Sequence, residues 1–147
     1  MFEKNILINR RSRICDKVQS GLIFLYGNNP VPMNYPSNTL RFRQDSNFLY
    51  YCGLDFPGLN VVIDTESKRS VLFGDDLTSD DIVWEGSRIS VMDMATQVGI
   101  EESMPTSKLE QYLSSYKGKI HYLPAYRADH INFLKSLFNQ NIHTSKE

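Results

Sequence analysis

The sequence predicts the α/β class, with helices packed on a mixed β-sheet. Helix-like and strand-like segments alternate along the chain, and the strands are more numerous than in a helical bundle. The chain has 147 residues, of which 41% are hydrophobic and 22% are charged. This is the size and composition of one globular domain. We therefore expect a single domain over residues 1–147, with a core that needs neither a metal nor a disulfide.

The first part of the chain is predicted to form a helix, a strand and a loop. An amphipathic helix is expected over residues 2–20, ended by Gly21. Its apolar residues share one face: Leu7, Ile14 and Val18. Residues 22–26 are apolar throughout, which is typical of a buried strand. Residues 27–39 contain three prolines and four asparagines, and this composition predicts a loop.

Two β-rich runs, at residues 59–64 and 70–74, predict a hairpin. Residues 75–85 then contain five acids, which predicts a loop or an irregular short helix. The acids are Asp75, Asp76, Asp80, Asp81 and Glu85. They lack the alternation and the central glycine of an EF-hand loop. A solvated acidic loop is therefore favoured over a metal site.

The last part of the chain is predicted to be mainly helical. Ser90 and Asp93 match a capping box and begin a helix that Gly99 ends. Three further elements are expected in order: a helix from about residue 106, a strand over residues 119–123 and a last helix over residues 128–139.

Charge, hydropathy and cysteine usage exclude several classes of protein. Lys and Arg number 16 against 17 Asp and Glu, so the net charge is −1, and no nucleic-acid partner is expected. The longest apolar run, residues 22–26, is too short to cross a membrane, and the first residues lack the apolar segment of a secretory signal. Cys15 and Cys52 have no CxxC spacing, which favours reduced thiols and a cytoplasmic location.

No catalytic motif is found in the sequence. His121, His130 and His143 show neither an HExxH motif nor a spacing of four residues. No nucleophile elbow and no glycine-rich phosphate loop occurs either. Cys52 lies among aromatic residues and is expected to be a core residue rather than a nucleophile. The basic residues within 10–13 are expected on the solvated face of the first helix. We predict neither catalytic residues nor metal ligands in this chain.

Residues 42–53 combine polar groups with four aromatic residues. Asp45 or Ser46 can cap a short helix, and the guanidinium of Arg43 can hold loop carbonyls or a carboxylate. We interpret this segment as a structural corner, in which polar side chains order an irregular connection above an aromatic core.

This segment closely resembles the F/Y-R-Q-x-S-x-F-x-Y-x-x-G signature of the N-terminal domain of Xaa-Pro aminopeptidases, the aminopeptidase P group. The signature residues here are Arg43, Gln44, Asp45, Ser46, Phe48, Tyr51 and Gly53. Two further landmarks follow in the family's order: Leu72-Phe73, and a W-x-G-x-R motif over residues 84–88. The resemblance extends over roughly residues 9–100 and includes the opening helix and the first strand.

The resemblance implies a fold like the N-terminal domains of creatinase and prolidase, with a ribonuclease H-like motif. It also implies that catalysis belongs to a following pita-bread domain, in which two Asp, one His and two Glu hold a pair of Mn²⁺-type ions. That domain is expected to be absent from this chain. The chain would then be the non-catalytic domain of a parent enzyme that releases the N-terminal residue preceding proline.

In the family, this domain helps to form oligomers and narrows access to short peptides. The resemblance therefore implies three partners: the catalytic domain, further copies of the chain, and peptides with proline at the second position. The W-x-G-x-R motif tends to lie near the catalytic cleft of an adjacent subunit, so Trp84 and Arg88 are expected on the substrate side. The alternative for Trp84 is a place in the domain's own core or in a subunit contact.

A second function is compatible with the same resemblance. Similar domains occur in catalytically inactive relatives, including histone-chaperone subunits, where they bind peptides or proteins. The chain would then be a stand-alone binding module for a peptide or a protein partner.

Overall fold

Five short strands form one mixed sheet in the computed structural model, which describes residues 2–138. The strands are β1 (Leu22–Tyr26), β2 (Asn60–Asp64), β3 (Ser70–Phe73), β4 (Glu102–Met104) and β5 (Ile120–Tyr122). The helices are α1 (Lys4–Val18), α2 (Ser46–Cys52), α3 (Ser79–Glu85), α4 (Val91–Gln97), α5 (Leu109–Ser115) and α6 (Ala128–Phe138), with a 3-10 turn at Thr106–Lys108.

The strands are arranged in the order β4-β3-β2-β1-β5. The pairs β1–β2 and β2–β3 are antiparallel, with Phe24 opposite Val62 and Val62 opposite Val71. The outer pairs, β1–β5 and β3–β4, are parallel. Consequently β1, β3, β4 and β5 all end at the same edge of the sheet, where the antiparallel strand β2 begins.

Helices cover both faces of the sheet, which confirms the predicted fold class. Alternate strand residues point to opposite faces, so Ile23 and Ile63 pack with the residues of α1, α2 and α4. Phe24 and Val62 lie on the other face and pack with the residues of α5 and α6. The sheet is thus the middle layer between two apolar cores.

Several elements differ from the sequence-based expectation. The edge strand β4 was not predicted. Residues 75–85 include a short helix, α3, which agrees with the helical alternative of the prediction, although the helix is regular. Within the expected loop at residues 27–39, Pro32 and Thr39 form an isolated antiparallel bridge. The first helix ends at Val18, earlier than predicted, because Gln19 adopts a left-handed conformation with φ of 71°.

Candidate functional site

The corner at residues 42–53 begins with Gln44, which is buried. Its Oε1 accepts hydrogen bonds from the backbone N–H of Asn28 at 2.6 Å and of Asp45 at 3.0 Å. Its Nε2 donates to the carbonyl of Phe56 at 2.7 Å. One side chain therefore joins the segment after β1, the start of α2 and the loop after α2. Buried amides of this kind are stable because each polar atom has a partner.

The helix α2 begins and ends at residues of the signature. The Asp45 carboxylate accepts from the backbone N–H groups of Asn47 and Phe48, at 2.9 and 3.0 Å, and so caps the helix. Gly53 follows the helix with φ of 69°, a conformation that favours glycine. A Cβ atom at Gly53 would lie 2.7 Å from Leu7 Cδ1, so the glycine also allows α1 to pack closely.

The remaining signature residues differ in exposure. Phe48 lies in the core and Tyr51 is half-buried against it. Ser46 is exposed as the first residue of α2. Arg43 is also exposed, and its backbone carbonyl accepts from Asn28 Nδ2 at 2.8 Å. Its guanidinium makes no hydrogen bond to residues 2–138, so among them it does not hold loop carbonyls or a carboxylate.

The expectation that the basic residues of α1 are solvated is wrong for Arg11, which is buried. It is 4% exposed. Its Nη1 donates to the carbonyl of Tyr51 at 2.9 Å, and its Nη2 donates to those of Val98 and Gly99 at 2.7 and 2.9 Å. Burial lowers the pKa of this guanidinium. The signal that could have identified it is its spacing, because Arg11 lies four residues after Leu7 on the apolar face.

The W-x-G-x-R motif begins on α3, a short helix at the surface. Thr78 and Asp81 form a capping box at its start. Three consecutive apolar residues then face solvent: Ile82, Val83 and Trp84. Trp84 is 87% exposed, so it does not fill the core of this domain, which was one of the alternatives.

Arg88, at the end of the motif, lies beside a groove of about 860 Å³. Its Nη2 donates to the carbonyl of Asp75 at 3.1 Å, and its guanidinium carbon lies 5.8 Å from the centroid of the Phe56 ring. The other groove residues are mainly apolar and include Leu49, Leu54, Leu77 and Ile89. The fold therefore brings the loop after α2 and the end of the W-x-G-x-R motif to one groove.

A family model described as "Aminopeptidase P, N-terminal domain" matches residues 7–122. The chain belongs to this family. Among its relatives, the mitochondrial intermediate cleaving peptidase 55 of Arabidopsis thaliana is 30% identical over 108 residues, which are 73% of this chain and 22% of that protein. A Xaa-Pro dipeptidase of Pongo abelii is 26% identical over 117 residues, or 75% of this chain and 24% of the relative.

Solved structures of aminopeptidase P share the fold of this aminopeptidase P N-terminal domain. Aminopeptidase P from E. coli superposes with a TM-score of 0.79 at 18% identity, over 95% of this chain and 33% of the other. Aminopeptidase PepP from Pseudomonas aeruginosa gives a TM-score of 0.80 at 19% identity, over 94% of this chain and 32% of that protein. The chain thus spans roughly a fifth to a third of the length of these proteins.

The acidic segment of this aminopeptidase P N-terminal domain has structural partners. Asp75 Oδ1 accepts from the backbone N–H of Thr106 at 3.0 Å, and Asp76 Oδ1 accepts from that of Val91 at 2.7 Å. Hydrogen bonds from Thr78 lower the pKa of Asp81. Among the described side chains of residues 2–138, which do not include that of Glu85, no three from His, Cys, Asp or Glu are grouped to hold a metal ion. The described residues therefore do not fit a pair of Mn²⁺-type ions.

Among residues 2–138, the cysteines and histidines do not form a nucleophilic pair. Cys52 is buried, and burial raises its pKa to about 12, so the reactive thiolate is disfavoured. Burial also raises the pKa of Cys15. His121 Nε2 lies 2.9 Å from the carbonyl oxygen of Ser20. His130 is buried next to Tyr26, with ring centroids 4.7 Å apart, and His143 lies outside the described residues.

Proposed function

We propose that this chain is the non-catalytic N-terminal domain of a Xaa-Pro aminopeptidase-like metallopeptidase. The parent enzyme would release the N-terminal residue that precedes proline. The family supports this proposal, and so does the share of each relative that the chain matches, from 22% of the Arabidopsis peptidase to 33% of the E. coli enzyme. The proposal treats residues 1–147 as one domain, and the two Mn²⁺-type ions would belong to the catalytic domain that follows.

The observation that carries the proposal for the site is the exposure of Trp84. A large aromatic side chain that is 87% exposed leaves a wide apolar surface in water, and such surfaces mark interaction sites when neighbouring residues extend them. Val83 and Ile82 extend this one on the same helix, α3. An indole ring is a flat surface on which a proline ring can pack.

Arg88 would contribute charge to the same site. Its Nη2 donates a hydrogen bond to the carbonyl of Asp75 at 3.1 Å. The other N–H donors of an arginine can bind a carboxylate or a carbonyl of a peptide. In this proposal, Trp84 and Arg88 face the catalytic cleft of an adjacent subunit, and the domain both supports the oligomer and narrows access to the cleft.

Kinetics of the full-length parent test this function. Trp84→Ala is expected to lower kcat/KM for peptides with proline at the second position by about tenfold, the effect of removing a buried aromatic contact. Trp84→Phe should retain most of the activity. Tyr126→Ala is the matched control, because Tyr126 is 82% exposed and lies outside the motif. Equal kcat/KM for Trp84→Ala and the wild type would refute the proposed substrate contact.

A second candidate is a stand-alone module that binds peptides or proteins. The groove of about 860 Å³ favours it, since the groove is mainly apolar and has Arg88 at its side. Calorimetric titration of the 147-residue chain with proline-containing peptides separates the two functions. Binding by the chain alone supports the module, whereas binding that needs the catalytic domain supports the enzyme.

The location of the protein in the cell is part of the proposal. No helix among residues 2–138 is long and apolar enough to cross a membrane. We propose a cytoplasmic protein, while the Arabidopsis relative is named as mitochondrial. Cell fractionation followed by immunoblotting distinguishes the two compartments.

A further inference from the structure

The groove beside Arg88 has a mainly apolar lining that reaches from the core to the surface. Leu54, in the loop after α2, is buried, whereas Ile89, after α3, is 42% exposed, and both line the groove. The volume of about 860 Å³ lies within the range of about 300–1,000 Å³ that is usual for small-molecule sites. A small ligand with apolar side chains therefore fits this groove.

The groove also carries one charge of each sign. Among the described side chains, Asp55 and Arg88 are the charged residues that line it. Asp55 directly precedes Phe56 in the sequence, and the guanidinium carbon of Arg88 lies 5.8 Å from the centroid of the Phe56 ring. An acid and a base thus lie close to the same aromatic residue of the lining.

Both charged groups have free capacity to bind a ligand. Asp55 and Arg88 take part in neither of the salt bridges found among residues 2–138. Asp55 is exposed, and its carboxylate makes no hydrogen bond to the described residues. Arg88 uses Nη2 for the carbonyl of Asp75, and a guanidinium has five N–H donors in all. The acid can therefore accept from an ammonium group, and the base can donate to a carboxylate.

A ligand that matches this lining has an ammonium group at one end, a carboxylate at the other and apolar side chains between them. A short peptide with both termini free has this chemistry. We propose that the groove binds a dipeptide of two aliphatic residues, with its carboxylate on Arg88 and its ammonium group on Asp55. The proposal rests on the second candidate function only in using the same groove, because this ligand needs neither proline nor a catalytic domain.

Nuclear magnetic resonance of the isotope-labelled 147-residue chain tests the proposal, with leucyl-leucine as the probe. The methyl signals of Leu54 and Ile89 are expected to shift in a saturable way, with a Kd on the order of 1 mM. Leucyl-leucine amide lacks the carboxylate and N-acetyl-leucyl-leucine lacks the ammonium group. Each should bind about threefold more weakly, the effect of one exposed ion pair. Absence of saturable shifts with leucyl-leucine overturns the proposal. Equal Kd values for the three compounds also overturn it, although an apolar groove would still serve the binding module.

Two substitutions assign the ends of the dipeptide. Arg88→Gln should weaken the binding of leucyl-leucine about threefold and leave that of leucyl-leucine amide unchanged. Asp55→Asn should weaken leucyl-leucine to the same extent and leave N-acetyl-leucyl-leucine unchanged. Arg43→Gln and Asp80→Asn are the matched controls, because both residues are exposed and neither lines the groove, and their Kd values should equal that of the wild type.

The assignment is contradicted if Arg88→Gln, folded by circular dichroism, binds leucyl-leucine as the wild type does or weakens the dipeptide and its amide equally. The same holds for Asp55→Asn with the N-acetyl compound. The probe contains no proline and the chain is titrated alone. A failure of the Trp84→Ala kinetics in the parent enzyme is therefore a separate result, which concerns the peptidase function and not this groove.

Discussion

The Arg11 guanidinium donates a hydrogen bond to the carbonyl of Val98 at 2.7 Å, across 87 residues of sequence. Val98 is the residue that follows α4. The same guanidinium donates to Tyr51, near the end of α2. A charged side chain in the first helix therefore holds the ends of two later helices on one face of the sheet.

Replacing Arg11 by leucine should destabilise the fold by about 3 kcal/mol. The substitution leaves the carbonyls of Tyr51, Val98 and Gly99 without their donor. Each buried acceptor without a donor costs about 1–3 kcal/mol in a rigid structure. Because the structure around the carbonyls relaxes, the total is at the lower end of that sum. Urea unfolding measures the loss of stability as a lower urea concentration at the midpoint of unfolding. Arg13→Leu is the control, since Arg13 is exposed on the same helix, and its effect should stay within about 0.5 kcal/mol. Equal midpoints for the two variants would contradict this role.

Replacing Gln44 by leucine should cost about 2 kcal/mol. The leucine fills a similar volume but removes the three hydrogen bonds to Asn28, Asp45 and Phe56, which leaves buried backbone groups unpaired. Thermal unfolding followed by circular dichroism measures the change. The exposed Gln111 of α5 provides the control, and a Gln111→Leu variant should unfold within a degree or two of the wild type. The prediction fails if Gln44→Leu behaves in the same way.

Two glycine substitutions separate backbone strain from steric overlap. Gly53 and Gly86 both have positive φ, 69° and 84°. A Cβ atom at Gly53 would meet Leu7 at 2.7 Å, whereas one at Gly86 would meet nothing within 4 Å. Gly86→Ala should lose about 1–3 kcal/mol from backbone strain alone, because φ of 84° with ψ of 170° is a conformation that only glycine adopts readily. Gly53→Ala should lose about 1 kcal/mol from its left-handed conformation and about 1–3 kcal/mol more from overpacking. A loss of only about 1 kcal/mol for Gly53→Ala in urea unfolding would show that Leu7 moves aside freely.

The stability of the fold should fall in mildly acidic solution because of His130. Burial lowers the pKa of His130 below its ordinary value of 6.5 and outweighs the opposing effect of Asp129; Arg127 lowers the pKa a little further, while Asp45 and a hydrogen bond to the Gly27 backbone raise it slightly. The unfolded chain therefore takes up a proton before the folded chain does. The contribution of neutral His130 to stability is fully present above the pKa that His130 has in the unfolded chain. It is lost as the pH falls through the lower pKa that His130 has in the folded chain.

Urea unfolding at a series of pH values tests this dependence. The midpoint should decrease as the pH falls from about 7 to 5, and His130→Gln should remove part of that decrease. His121→Gln serves as the control, because His121 is not buried, and its profile should follow the wild type. A pH profile of His130→Gln that matches the wild type would contradict the account.

The features that could be predicted are those with a strong local pattern. The apolar run at residues 22–26 predicted β1, and the two β-rich runs predicted the hairpin of β2 and β3, so the centre of the sheet was predicted. The signature predicted the corner around Asp45 and Gly53. The strand β4 has no such pattern, because Glu102–Met104 is a three-residue edge strand defined by backbone pairing with β3. Edge strands without a buried face leave little trace in sequence.

The features that could not be predicted depend on distant contacts. Arg11 was expected in solvent because arginine is mostly exposed. Its three carbonyl partners are distant in sequence, since Tyr51 lies in α2 while Val98 and Gly99 follow α4. The burial of His130 beside Tyr26 likewise depends on the packing of α6 over β1. The place of Trp84 on the surface could be read only from the fold, since an isolated aromatic fits a core and an interface equally well.

The size of the native polypeptide tests the central claim most directly. An immunoblot of source cells with an antibody against this domain measures it. Our account predicts a band much larger than 17.0 kDa, the mass of this chain, because a catalytic domain should follow in the same polypeptide. A single band at 17.0 kDa would contradict the account and leave the stand-alone binding module as the function to pursue.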